Sequence, residues 1–338
     1  MDAELRFRAM GCDVHVLLAG GRPERLDTSR ELIDDLERRW SRFRADSEIS
    51  LLNRHAGRPV RVSRQTLELV WHALEGARVT SGRYDPTVLG AVLRTGYDRS
   101  FELLGAAPAG PTGRAGPGGL GGPGGLGGHG GRDHPAGSAL DLGWERIVVD
   151  PVLSTVTLPR GVGFDPGGIG KGYAADLVVA ELLAEGAAGA CVNVGGDLRV
   201  EGHAPGGGSW AVAVEHPLTG RPAAMLGLRA GAVATSSRTR RAWGPEGDRR
   251  HHLIDPATGR PAASGLAAVT VLAAEGWQAE VLAKAAFLGG LRQGPALLAT
   301  AGADGLLVDD RGGLHRTAGF GRFTVAGPPG RVLQEVAG

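Results

Sequence analysis

The chain has 338 residues and a formal net charge of +1, from 37 basic and 36 acidic side chains. That balance excludes bulk nucleic-acid binding and a polybasic membrane anchor, both of which need a clear excess of Lys and Arg. Hydrophobic residues make up 42%, enough for a sizeable core in about two domains or one large one.

No stretch approaches the 18 or so apolar residues of a membrane-spanning helix, so no membrane insertion is expected. The first residues, MDAELRFRAMGCDVHVLL, lack the basic start, apolar run and small-residue site of a signal peptide. Cys12 and Cys191 are the two cysteines and lie far apart, which excludes a disulfide framework and favours a cytoplasmic chain. Two oddities stand out. Glycine supplies 58 residues, against a usual share of about 7%. Of the basic residues only Lys171 and Lys284 are lysines. GC-rich coding is the bland explanation; the sharper one is a need for a compact ammonium in a tight site.

Residues 5–18 alternate as short strands, with Leu5, Phe7, Val14, Val16 and Leu18 on one side. The spacing of Leu32, Ile33, Leu36, Trp40 and Phe43 predicts a helix over 28–43 capped by Thr28. A short helix capped by Ser47 follows, then a helix over 65–80 with Leu67, Val70, Trp71 and Leu74 inward. Residues 105–137 hold 15 glycines in 33 positions. Such a stretch buries too little apolar surface to offset its ordering entropy and is expected to be a disordered surface insertion, His129 and His134 included. A hairpin turning at Asp150-Pro151, a helix over 172–185 and a strand–Gly turn–strand unit over 191–202 come next. Strands joined by a turn at Leu218–Pro222, a strand over 267–273, helices at 276–288 and 295–301 and a hairpin around Asp309–Gly313 complete the core. Strands and helices mix without a strict βαβ rhythm, so the class is α+β.

Five segments carry chemistry. FDPGGIGKGYAAD opens a glycine-rich turn onto a helix; its backbone N–H groups, the helix dipole and Lys171 suit a phosphate, and the simpler reading is a tight turn. It is neither a Walker A loop nor a dinucleotide fingerprint. VNVGGDLRV sets paired glycines before Asp197, and GRYDPTV sets Asp85 before a proline, where it either starts a helix or accepts hydrogen bonds from a heterocycle. In RHHLIDPATGRP the adjacent His251 and His252 cannot point the same way, so one can face a pocket as a base while the other faces solvent. Glu280 and Lys284 stand at i and i+4 on an apolar helix, either as an ordinary surface pair or as a partly buried one.

Taken together, Met10-Gly11, SRFRADSEISLLN (41–53), GRYDPTV (82–88), DPGGIGKGYAAD (165–176), VNVGGDLRV (192–200), ATSSRTRRAW (234–243), HLIDPATGRP (252–261) and AVTVLA with AEVLAKAAF (268–287) resemble the flavin transferases called FAD:protein FMN transferase, or the ApbE family. The resemblance implies an ApbE-type, T-fold-like architecture: mixed sheets with packed helices in one large two-lobed domain spanning residues 1–338. It implies transfer of FMN from FAD to a Thr or Ser hydroxyl of an acceptor flavoprotein, with release of AMP. Such phosphoryl transfer needs neutralised diphosphate charge and a base. His252 matches the family's proposed base, with Lys171 beside the diphosphate. Met10, Asp85, Asp165 and Ile254 match FAD-contacting positions, flanked by Arg83 and Tyr84; Phe43 matches a stacking aromatic, and Asp197 lies near the turn. The protein is expected to act as a monomer or homodimer. A non-catalytic FAD-binding or flavin-delivery protein and an FAD pyrophosphatase are the alternatives.

The family binds Mg²⁺ through an Asp, a Thr four residues later and a ligand near the glycine-rich turn. Here those positions are Glu280, Lys284 and Gly168 to Gly170. An ammonium cannot bind a cation. The expectation is that Lys284, held by Glu280, replaces part of the ion's charge. Ser237 and Thr239 are a second departure, standing where many members have Gly and Tyr.

Overall fold

The computed structural model describes residues 1–101, 143–244 and 250–325, and the backbone of 332–334. The glycine-rich stretch 105–137 lies outside the described residues. The strands are β1 (Ala3–Ala9), β2 (Cys12–Ala19), β3 (Pro59–Arg61), β4 (Val148–Asp150), β5 (Thr155–Thr157), β6 (Gly189–Val194), β7 (Asp197–Gly202), β8 (Trp210–Glu215), β9 (Pro222–Leu228), β10 (Ala230–Ser237), β11 (Ala242–Trp243), β12 (Arg250–His251), β13 (Ile254–Asp255), β14 (Arg260–Pro261), β15 (Leu266–Ala273), β16 (Asp304–Asp309), β17 (Leu314–Arg316) and β18 (Val332–Gln334). The helices are α1 (Arg25–Trp40), α2 (Glu48–Arg54), α3 (Arg64–Val79), α4 (Leu89–Arg94), α5 (Gly170–Ala184) and α6 (Gly276–Thr300).

The frame is an eight-stranded antiparallel sheet in the order β1-β2-β6-β7-β10-β15-β16-β17. Both faces are covered. Val192 and Val194 point to a core shared with Val178, Val179 and Leu182 of α5, and Val269 and Val271 meet Ala279, Ala283 and Phe287 of α6. The alternate residues, Leu17, Val200, Val233, Leu272 and Leu306, pack instead on Trp210, Val212 and Leu226 of the small β18-β8-β9 sheet. Two covered faces explain why β6 is buried along its whole length and β15 along all but its last residue, rather than in alternation. On the helical side, α1, α2, α3, α5 and α6 enclose a core of Leu36, Trp40, Ile49, Leu69, Tyr84, Phe164 and Tyr173.

The α+β expectation holds, with local corrections. Helix α1 starts at Arg25, not after Thr28: the N–H groups of Arg25, Leu26 and Asp27 close a turn onto Arg22, Pro23 and Glu24, and the Thr28 hydroxyl donates to Arg25 O inside the helix. It ends at Trp40, so Phe43 stands outside it. Ser47 does cap α2, accepting from Ser50 N at 3.0 Å. Trp71 is 55% exposed rather than inward. The two helices expected near the C-terminus are present: the run labelled α6 is two helices meeting at a kink at Gly290, whose φ of 61° takes it out of helical space.

Candidate active site

Two loops and two helix starts form the walls of the cleft. The β1–β2 hairpin turns on Met10 and Gly11, both at positive φ (52° and 67°). A non-glycine residue held there signals a constrained position, and Met10 lines the cleft. The β6–β7 hairpin turns on Gly195 and Gly196, whose φ values of 60° and 98° suit a primed turn. Asn193 Oδ1 accepts from Gly196 N at 2.8 Å and closes that turn. Asp197, first in β7, is 2% exposed and ion-pairs with the Lys171 ammonium across from it.

The segment before α5 is held from afar. Asn53 grips Phe164 twice, accepting its N–H at 2.7 Å and donating to its carbonyl at 2.9 Å. Glu48 receives the N–H and hydroxyl of Ser63 at the start of α3. SEISLLN is therefore a clamp that fixes where Asp165 sits. The glycine-rich turn then spends its own donors. Gly167 N–H bonds Asp165 Oδ1 at 3.0 Å, and the N–H groups of Gly168, Ile169 and Gly170 converge on Pro166 O. Gly172 N–H donates to Glu280 Oε2 at 2.9 Å. The expected cradle of free amides gives way to positive side chains as the means of holding an anion.

Helices α5 and α6 cross backbone to backbone. A Cβ on Gly172 would stand 2.2 Å from Gly276 O, and one on Gly276 would stand 2.4 Å from Gly172 O. Asp176 in α5 caps α6, accepting from Gly276 N at 2.7 Å and Trp277 N at 3.0 Å. Burial pushes this carboxyl up to about 6 despite those bonds and Arg199. The crossing brings Lys171 of α5 and both Glu280 and Lys284 of α6 to one cleft.

The cleft has two adjoining parts. One, of roughly 1040 Å³ with its open mouth, is lined by Met10, Phe43, Tyr97, Asp165 and Gly170 among others. The other, about 820 Å³, is lined by Gly168, Gly195, Asp197, Thr235, Ser236 and Arg240 among others. Gly167, Lys171, Arg241, His252, Glu280 and Lys284 belong to both.

The electrostatics of that shared wall have identifiable causes. Burial opposes the Lys171 charge, but Asp197 and Glu280 carry its ammonium above the usual lysine range. Burial, with Asp197 adding to it, pushes Glu280 up to about 7 against Lys171, Gly172 N–H and Lys284. Burial, then the Arg241 and Lys284 cations, hold His252 well below the usual histidine range, so its imidazole is neutral near pH 7. Its Nδ1 lies 3.5 Å from Arg241 O; with the proton assigned to that nitrogen, Nε2 is left as an acceptor. His251 does not face solvent: it is 8% exposed, packs edge-on against Phe287, donates from Nε2 to Ala262 O at 3.1 Å and accepts Leu253 N–H at Nδ1.

Four expected site residues do not line the cleft. Tyr84 is 1% exposed in the helical core, with its hydroxyl unpartnered among the described residues. Asp85 turns back on its own chain, its Oδ1 accepting from Thr87 N at 2.7 Å and Thr87 Oγ1 at 2.6 Å; it starts no helix, since α4 begins only at Leu89. Arg83 bonds Gln293 of α6. Ile254 is fully buried with Val88, Val92 and Tyr97. Conversely, Arg42, Tyr97 and Arg241 line the cleft without having been singled out. The Arg42 guanidinium lies 4.2 Å from the Phe43 ring and 4.5 Å from the Tyr97 ring, and its Nε is 3.7 Å from Asp165. The one hint in the sequence was its position between Ser41 and Phe43.

The residues at the family's Mg²⁺ positions do not fit a divalent ion. Glu280 offers a carboxylate, but Lys284 replaces an oxygen donor with an ammonium. No group of three or more His, Cys, Asp or Glu side chains among the described residues is placed to hold a metal. Glu280 does not grip Lys284 either; its Oε2 is engaged by Gly172 N–H, and no carboxylate of the described residues lies within ion-pair distance of Lys284 Nζ.

A two-part cleft whose common wall carries two lysines, an arginine and a neutral imidazole defines a protein built to hold an anionic ligand beside a second reactant. The sequence model of the ApbE family matches residues 10–307, and the chain belongs to that family. An FAD:protein FMN transferase from Vibrio cholerae is 29% identical over 269 residues, spanning 79% of this chain and 73% of that protein. One from Treponema pallidum is 30% identical over 282 residues, spanning 79% and 72%. The crystal structure of the ApbE protein from Thermotoga maritima superposes with a TM-score of 0.80 at 28% identity, over 96% of this chain and all of that one. The flavin transferase ApbE from Vibrio cholerae shares the fold with a TM-score of 0.73 at 23% identity.

Proposed function

We propose that this chain transfers FMN from FAD to a Thr or Ser hydroxyl of an acceptor flavoprotein and releases AMP. The observation that carries the reading is the shared wall: Lys171, Arg241, His252 and Lys284 border both halves of one cleft. FAD occupies the half bordered by Met10, Phe43 and Asp165, and the acceptor hydroxyl enters from the half bordered by Asp197 and Ser236. His252 Nε2 takes the hydroxyl proton; the oxygen forms a bond to the FMN phosphorus as the bond to the AMP oxygen breaks, and AMP leaves with the electron pair. Lys171 and Lys284 balance charge on the diphosphate, a role fixed cations perform without rearrangement. Met10 and Phe43 give the ring system an apolar contact, while Tyr84, Asp85 and Ile254 support the wall from behind.

The family's Mg²⁺ has no oxygen-donor set here, so no step passes through it. The reading extends to residues 1–338 as one domain, active as a monomer or homodimer in the cytoplasm. Two unpaired cysteine thiols, both buried, are consistent with a reducing compartment. Among the described residues no helix is long and apolar enough to cross a membrane.

Incubation of the purified protein with FAD and a flavin-acceptor domain tests the reaction. Covalent FMN on the acceptor, with AMP released in equal amount, is the expected result. Free FMN plus AMP identifies a pyrophosphatase instead, and bound but unchanged FAD identifies a carrier.

A further inference from the structure

The Lys284 side chain stands where the family's cation positions meet. A Cβ on Gly168 would lie 2.9 Å from Lys284 Cδ and 3.0 Å from its Nζ, so the ammonium already fills the space beside the glycine-rich turn. The residue is 6% exposed and borders both halves of the cleft. Its nearest described aromatic is Tyr84, with Nζ 5.7 Å from the ring centroid. Burial pulls Lys284 below the usual lysine range against Asp165, Glu280 and Asp85, none of which lies at ion-pair distance, so an anion arriving in the cleft would hold the group as an ammonium.

The donors around it point the same way. The amides of the glycine-rich turn are bonded internally. Lys171 is paired with Asp197; Arg42 lies 3.7 Å from Asp165 and donates from Nη1 to Tyr97 O, keeping Nη2 at the cleft as a second donor, unpartnered among the described residues. Lys284 is thus the buried lysine left to meet a diphosphate.

We propose that the Lys284 ammonium is a built-in replacement for the divalent cation, so that this chain binds the FAD diphosphate without any metal ion. The proposal rests on FAD being the ligand of the cleft. It assigns Lys284 as a binding residue and Gly168 as the position whose missing side chain admits it. It also separates this chain from relatives that hold an ion at those positions.

The test compares FAD affinity, read by calorimetry or flavin fluorescence, in EDTA and in Mg²⁺. Full-length protein is used as wild type, Lys284→Met and Lys284→Thr, with riboflavin as a probe lacking the diphosphate. The expected wild-type affinity is the same in both buffers. Lys284→Met is expected to weaken FAD by about 10- to 100-fold, the scale of a lost charged hydrogen bond, with no rescue by Mg²⁺ and no change for riboflavin. Lys284→Thr restores an oxygen donor and is expected to bind FAD tightly only with Mg²⁺ present. Wild-type affinity that collapses in EDTA and returns with Mg²⁺ overturns the proposal, and this arm needs no variant to fold. Unchanged FAD affinity in Lys284→Met overturns it as well. Metal-indifferent FAD binding without FMN reaching an acceptor supports the ammonium and refutes the transferase reading; Mg²⁺-dependent binding with transfer does the opposite.

Discussion

The crossing of α5 and α6 at Gly172 and Gly276 gives the sharpest stability test. In Gly172→Ala the new methyl would sit 2.2 Å from Gly276 O, 2.5 Å from Gly276 C and 2.9 Å from Trp277 N. Non-bonded atoms need about 3.5 Å, so the helices must part by roughly 1 Å at their closest point. The atoms met are backbone, which cannot rotate away. Overpacking of this kind costs about 1–3 kcal/mol, which for a chain of this size lowers Tm by roughly 1–4 °C. The same movement stretches the Gly172 N–H bond to Glu280 and shifts Lys171 relative to Lys284. A misplacement of about 1 Å in a site can slow a reaction about 100-fold. Differential scanning fluorimetry and the acceptor-labelling assay read the two effects. Gly90→Ala in α4 is the control: its methyl meets Arg94 Nη1 alone, at 3.5 Å, and helix propensity predicts a gain of about 0.5–1 kcal/mol. Gly172→Ala with wild-type Tm and rate would refute the account of the crossing.

Three further outcomes are expected. His252→Ala should slow FMN transfer by about 10²–10⁴-fold while FAD affinity stays within about 2-fold, because a base acts in the transition state rather than in ligand binding; an equal loss in both would show that His252 binds rather than reacts. Glu280 titrates at about 7 in the fold, above its ordinary 4.5. Wild-type stability should therefore fall as pH rises from about 4.5 to about 7, and Glu280→Gln, which carries no titrating proton, should make that fall shallower, leaving the part below about 6 that Asp176 contributes. A Glu280→Gln profile as steep as wild type would locate the dependence elsewhere. Ser47→Ala removes the cap of α2 and should cost about 0.5–2 kcal/mol in denaturant melts, with little change in FAD affinity.

Local chemistry made part of this molecule readable. Ser47 was visible as a cap because its partner, Ser50, is three residues away, and the 195–196 hairpin because paired glycines permit positive φ. Lys171 and Lys284 stood out by scarcity, and the cleft collects both. What stayed hidden was set at long range. Asn53 and Phe164 are separated by 111 residues, and nothing near either announces the pairing. Arg42 and Arg241 looked like two of many arginines until packing brought them to one wall. Tyr84, Asp85 and Ile254 failed as cleft-lining residues for a related reason: motif position says which segment nears a ligand, while Thr87 and the α4 core decide which way each side chain turns. Which of the two adjacent histidines faces the cleft depended likewise on where Ala262 and Phe287 happened to lie.

The contact between Gly168 and Lys284 has an evolutionary corollary. Because a methyl at 168 would stand 2.9 Å from Lys284 Cδ and 3.1 Å from the Tyr84 ring, a side chain there would push the long amine from its present seat, and the lysine favours bare backbone opposite it. A lineage adopting the ammonium gains by shedding any side chain opposite it, and drift at 168 is thereafter discouraged. The two positions, well over a hundred residues apart in sequence, should therefore change in step across the family.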